Sequence, residues 1–132
     1  MGDDMAELEK LTVNLGPVDL GQIELLVEQG FYANRAEFIR SAIQNQLAKH
    51  GDTVREATTR NAYLMGAFGY ERKALEEERR EGRRLKLHLI GYLSIADDVT
   101  PELAKATIES LKVLGIFKAS PEVKAALADR TR

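Results

Sequence analysis

Residues 10–15 read Lys-Leu-Thr-Val-Asn-Leu. Apolar and polar residues alternate strictly, as in a half-buried strand, with Leu11, Val13 and Leu15 on one face and Lys10, Thr12 and Asn14 on the other. Gly16-Pro17 breaks the run. Beyond it the pattern is helical. Asp19 opens a segment that gathers Leu20, Ile23, Leu26 and Val27 on one side, with Glu24 and Glu28 elsewhere, and Gly30 fits the left-handed position past its end. Asn34 caps a second helix, and Glu37 lies three residues on, as in a capping box. Its apolar stripe is Phe38, Ile39, Ala42, Ile43 and Leu47, and Gly51 closes it. One strand and two short helices are a severe constraint. The strand has no partner in its own chain, and about 40 residues rarely bury enough surface to fold unaided. The simplest completion is a second copy: two strands pair antiparallel into a ribbon and four helices interlock beneath it.

Lys10–Leu15, Gly16-Pro17 and the run Gly30-Phe31-Tyr32-Ala33-Asn34-Arg35-Ala36-Glu37-Phe38-Ile39-Arg40 resemble the ribbon-helix-helix DNA-binding proteins of the CopG/Arc/MetJ class. The resemblance covers residues 10–50 and rests on alternation, helix lengths, loop and cap agreeing in order. It implies a homodimer that lays its ribbon in the major groove of an operator in double-stranded DNA. The outward residues Lys10, Thr12 and Asn14 would then read base edges. Their chemistry suits that task, because Lys donates to guanine O6 and N7, Asn pairs bidentately with adenine, and Thr bonds or touches a thymine methyl. It also implies a phosphate anchored at the N-terminus of the second helix. Asn34 and Arg35 stand at that end, where free amides and the helix dipole favour an anion, and Arg40 adds a contact farther along. On the same segment, Asn34 serves equally as a plain cap, and Phe31 and Tyr32 are expected in the core.

Charge restricts how such a module can bind. The chain has 132 residues, with 19 Lys and Arg against 21 Asp and Glu, a net of −2. Coating nucleic acid by bulk attraction is excluded. Asp3, Asp4, Glu7 and Glu9 make an acidic arm of residues 1–9, and residues 10–50 carry as many bases as acids. Affinity for DNA is dominated by cation–phosphate contacts, so non-specific binding should be weak and salt-sensitive. Two readings are open: specificity comes from paired dimers on adjacent half-sites, or the module is mainly a dimerisation device. The chain has no cysteine, which excludes disulfides, thiolate catalysis and Cys-based metal sites. No apolar run reaches membrane-spanning length, and the acidic N-terminus does not read as a signal peptide, so a cytoplasmic protein with no membrane partner is expected.

Residues 51–60 are polar and read as a linker or helix extension. Beyond them a pattern recurs. Leu64-Met65-Gly66-Ala67-Phe68, Leu89-Ile90-Gly91-Tyr92-Leu93 and Val113-Leu114-Gly115-Ile116-Phe117 each place Gly between apolar residues, with the glycines 25 and 24 residues apart. Each is succeeded by a helix-like segment: Glu71–Glu81, then one opening Thr100-Pro101-Glu102 and one opening Ser120-Pro121-Glu122, each of the latter two a cap, a proline and an acid. Three β–α units of about 25 residues predict stacked supersecondary units on a parallel sheet. The expected fold class is therefore α+β, an N-terminal ribbon-helix-helix (intertwined dimer) plus a C-terminal three-unit β/α repeat domain. The expected boundaries are 1–9, 10–50, 51–60 and 61–132.

The second half shows no pattern for catalysis. Glu76-Glu77-Glu78 reads as a solvated helix face and Asp97-Asp98 as a loop, too few convergent oxygens for Mg²⁺. His88 falls on the opposite strand face from Leu87 and Leu89. Nickel-sensing ribbon-helix-helix proteins need a His/Cys cluster, and a lone His there with no Cys does not supply one, so no metal or cofactor is expected. Arg79, Arg80, Arg83, Arg84 and Lys86 form one basic cluster, read as a solvated helix end or as a contact for phosphate or an acidic partner. The expectation is a transcriptional regulator, a repressor and not an enzyme. Residues 61–132 would build a higher oligomer or bind a protein partner. Alternatives are an antitoxin-like protein-binding module that autoregulates its operon, or an oligomeric scaffold without DNA.

Overall fold

The computed structural model describes residues 8–132; of the acidic arm, residues 1–7 lie outside them. The chain divides into two compact units, Lys10–Ala57 and Thr58–Arg132.

In the first unit, residues 10–16 carry no helix or strand pairing. The predicted strand finds nothing to pair with inside the chain, because no other extended segment exists in this unit. Helix α1 (Pro17–Glu28) starts two residues earlier than Asp19, with Gly16 as N-cap. Proline suits the first helical position, where its missing N–H costs nothing and its fixed φ is already helical. The helix ends as its sequence predicts. Gly30 has φ +87°, its N–H donates to Val27 O and that of Phe31 to Leu26 O, which satisfies two end carbonyls. Helix α2 (Arg35–Lys49) comes next, and Gly51 does not close the helical path but opens α3 (Gly51–Arg60) after a one-residue turn at His50. Helix propensity and the N–H of Val54 bonding to His50 O carry the chain through the glycine.

The second unit is built on three parallel strands in the order β1 (Leu64–Tyr70), β2 (Leu85–Ile95) and β3 (Ile108–Lys118). Helices α4 (Arg72–Arg80), α5 (Pro101–Thr107) and α6 (Pro121–Ala126) alternate with them, and a 3-10 turn spans Ala128–Arg130. Strands β2 and β3 are each 11 residues long, more than twice the apolar segments seen in sequence, because polar residues such as Lys86 and Lys112 occupy positions on the outer face. Register aligns Leu64 with Leu89 and Val113, and Phe68 with Leu93 and Phe117. All of these side chains except Leu64, together with Leu87, Ile95 and Leu111, meet Leu75 of α4, Leu103 and Ala104 of α5 and Val123 of α6 in one core.

Gly66, Gly91 and Gly115 stand side by side across all three strands, each with a φ between +133° and +144°. A Cβ on Gly91 would run into the Gly66 carbonyl oxygen, and one on Gly115 into that of Gly91. The recurrent glycine is therefore a requirement of backbone approach and conformation together.

Local caps complete the layer. Thr100 Oγ1 accepts from Leu103 N and Ser120 Oγ from Val123 N, as the Thr-Pro-Glu and Ser-Pro-Glu openings predict. Helix α4 has no local side-chain cap. Asp98 supplies one from 26 residues away, its Oδ1 accepting from Arg72 N at 3.2 Å. The turn after α3 holds Ala62 at φ +54°, the one non-glycine residue of positive φ among those described.

Candidate nucleic-acid interface

Lys10, Thr12 and Asn14 are exposed and hydrogen-bond to nothing among the described residues. Their neighbours Val13 and Leu15 line a cavity of about 300 Å³ with Leu20 and Ile23 of α1 and Arg35 and Ile39 of α2. Within one chain the whole segment is exposed, Leu11 at 82% and Val13 at 72%, so the alternation does not yet divide a buried face from a solvated one.

Helix α2 is capped as the sequence predicts and with one difference in detail. Asn34 Oδ1 accepts from Glu37 N at 2.8 Å. Glu37 reaches back to the N–H of Ala33, at 3.0 Å, one residue before the cap. The amides of Arg35 and Ala36 stand at the first two helical positions, which have no partner within the helix. Glu37 places a carboxylate at the same helix end.

Arg35 does not stand free. Its Nη1 lies 3.5 Å from Glu24 Oε1 of α1, with both side chains more than half exposed. Such an exposed pair contributes about 0–1 kcal/mol. No local signal marks it, because Glu24 and Arg35 sit 11 residues apart on different helices. Arg40 is exposed, farther along α2, with no ion pair among the described residues. The two aromatic residues divide: Tyr32 packs edge-on against Phe38 with ring centroids 5.1 Å apart, while Phe31 is 71% exposed. The expectation that Phe31 is core does not hold within one chain, because the helix turn that ends at Gly30 leaves it nothing to pack on.

Lack of burial is the defining property of this unit. Of residues 10–57, Ile23 alone is buried. Leu11, Val13, Leu25, Ile39, Ile43 and Leu47 are all substantially exposed.

The basic cluster of the second unit is largely neutralised. Arg80 pairs with Glu77 at 3.1 Å and Lys86 with Glu109 at 3.6 Å. Arg83 holds Glu78 through Nε at 2.9 Å and Nη2 at 3.3 Å, which keeps that carboxyl below the usual carboxylate range. Arg84 donates to Lys105 O at the end of α5, as Arg130 does. Arg79 is left lining a cleft of about 440 Å³ with Arg72, Glu76, Arg80, Thr100 and Leu103. His88 lies on the outer sheet face, its Nε2 3.2 Å from Ser110 Oγ and its ring beside Tyr63. No group of three or more His, Cys, Asp or Glu able to hold a metal occurs among the described residues. No helix among them is long and apolar enough to cross a membrane.

A segment of alternating polar and apolar residues, a two-helix unit short of a core and an N-capped second helix fit a ribbon-helix-helix half. Residues 6–124 match the Ribbon-Helix-Helix transcriptional regulator family, and the chain belongs to that family. The match runs well past residues 10–50, into the β–α half, for which the sequence showed no family resemblance. The chain is also 33% identical over 45 residues to the transcriptional regulator CdrS of Halobacterium salinarum, a stretch covering 34% of this chain and 82% of that protein. No solved structure matches the chain significantly.

Proposed function

We propose that the protein is a sequence-specific DNA-binding repressor of the cytoplasm that works as a ribbon-helix-helix homodimer. Membership of the family makes it a transcriptional regulator; the finer reading rests on one observation, that residues 10–57 bury a single side chain. A unit so poor in core needs a second copy. Antiparallel pairing of two Lys10–Leu15 segments supplies each strand with its missing backbone partners and sets Leu11, Val13 and Leu15 over the exposed stripes of α1 and α2. The same pairing turns Lys10, Thr12 and Asn14 of both chains to one surface. Six polar side chains on a two-stranded ribbon fit the major groove, and Arg35 and Arg40 reach phosphates on either side.

Residues 64–118 contain a folded sheet with its own core, which supports a role in assembly over the flexible partner-wrapping segment of an antitoxin-like module. The decisive experiment titrates the protein against its own promoter region and against random DNA at two salt concentrations. The expected result is tight binding to the promoter and weak, steeply salt-dependent binding to random sequence. Equal affinity for both DNAs, or no binding at low salt, overturns the reading.

A further inference from the structure

We infer that β1 is an interface strand, on which the β1 of a second copy adds antiparallel to join two three-stranded sheets into one. The two edges of the sheet are built differently. At the β3 edge, Glu109, Lys112 and Lys118 supply charge. There Thr131 also bridges to Leu111, and Arg132 N donates to Leu111 O at 2.8 Å. Natural sheets protect their edges by such charge and cover. Among the described residues the β1 edge has neither. Its seven residues, Leu-Met-Gly-Ala-Phe-Gly-Tyr, contain no charge and no proline, pair with β2 on one side only, and leave Leu64 54% and Met65 59% exposed.

The occupant that fits is β1 itself. An uncharged strand sets no like charges opposite each other when it pairs with its copy. The centred antiparallel register brings Ala67 opposite Ala67, Gly66 opposite Phe68, Gly69 opposite Met65 and Leu64 opposite Tyr70. Each glycine then lies across from a large side chain that covers it, a compensation that stabilises glycine in sheets. Two-fold pairing also closes, whereas adding β1 of one copy to β3 of the next meets the Thr131–Arg132 segment and generates an open array. Finally, only a short turn separates α3 from the start of β1 at Leu64. This last point rests on the proposed ribbon dimer, which raises the local concentration of one β1 about the other.

The absence of cysteine in the chain makes the test direct. Three full-length single-cysteine variants, Ala67→Cys, Met65→Cys and Leu114→Cys, are oxidised mildly and sized under denaturing conditions. Ala67→Cys is expected to run as a disulfide-linked dimer. Met65→Cys, whose own copy lies four residues along the strand, and Leu114→Cys, 48% exposed on β3, are expected to stay single. Absence of the link in a folded Ala67→Cys protein, or equal linking at Leu114, overturns the inference. The ribbon reading is tested separately by the solution mass of Ala67→Asp, in which like charges set opposite each other block β1 pairing: a monomeric mass defeats the ribbon dimer, while the cysteine pattern alone decides β1.

Discussion

At the residue scale, side chains on the N-terminal segment are set apart by having nothing to do within the chain. Lys10, Thr12 and Asn14 neither pack nor bond among the described residues. If they read bases, Lys10→Ala and Asn14→Ala each weaken promoter binding by about 1–3 kcal/mol and relax specificity, with folding unchanged. Equal loss on random DNA points to phosphate contact instead. Arg35 is paired with Glu24 at 3.5 Å, and the proposed phosphate contact requires that pair to open. Glu24→Gln releases it and is expected to raise DNA affinity by roughly two- to five-fold, read in the same titration, with a steeper salt dependence. Gly91 is the opposite kind of residue, constrained wholly by its surroundings. Gly91→Ala forces a Cβ against the Gly66 carbonyl at a φ that side chains avoid, and should cost roughly 3 kcal/mol in denaturant unfolding. Gly66→Ala meets only the Phe68 ring at ordinary contact distance and should cost less, the strain of its φ remaining.

At the scale of elements, the helices of the second unit are tied by charged groups at their ends. Arg83 bonds Glu78 just past the end of α4, and Asp98 caps its start from another loop. The Glu78 carboxyl is held low chiefly by its hydrogen bond to Arg83. A carboxyl lowered in the folded state adds stability that is complete above its unfolded value, near pH 4.3, and disappears as acid titrates it through its lower folded value. Wild-type protein should therefore lose thermal stability more steeply than Glu78→Gln as pH falls from about 5 to 3. Parallel pH profiles for the two proteins contradict this assignment.

Sequence made some of these elements legible and not others. Helix ends were readable wherever the partners are local: Asn34 with Glu37, Thr100 with Leu103, Ser120 with Val123, and Gly30 in its left-handed turn. The Asp98 cap and the Glu24–Arg35 pair were not, since each joins groups brought near only by folding. The basic run after residue 78 reads in sequence as a solvated helix end or a contact for phosphate or an acidic partner. Apart from Arg79, its charges meet Glu77, Glu78, Glu109 and the carbonyl of Lys105; the first is a local helix pair, while Glu109 and Lys105 come near only by folding.

At the scale of the whole molecule, the two units differ in what they need. Thr58–Arg132 holds nearly all of the buried apolar side chains, while Lys10–Ala57 holds Ile23. A fragment of residues 51–132 should unfold cooperatively at a midpoint independent of concentration, if its assembly through β1 is weaker than its fold. A fragment of residues 8–57 should unfold at a midpoint that rises with protein concentration, as for a chain stable only as a dimer. A concentration-independent midpoint for the short fragment contradicts the need for a second copy.

The order of the helices and of the three sheet strands, the caps and the recurrence of glycine can all be read from the chain of letters, because each depends on contacts within a few residues or on simple periodicity. So can the rule that any DNA binding must rest on specific contacts, since a net charge of −2 is a matter of composition. Why glycine recurs is a tertiary fact, visible once Gly66, Gly91 and Gly115 lie against one another across the sheet. Which cations are neutralised, and which edge of the sheet is bare, are tertiary facts as well. They are properties of groups far apart in the chain, and they exist only once three strands and their helices have closed on a common core.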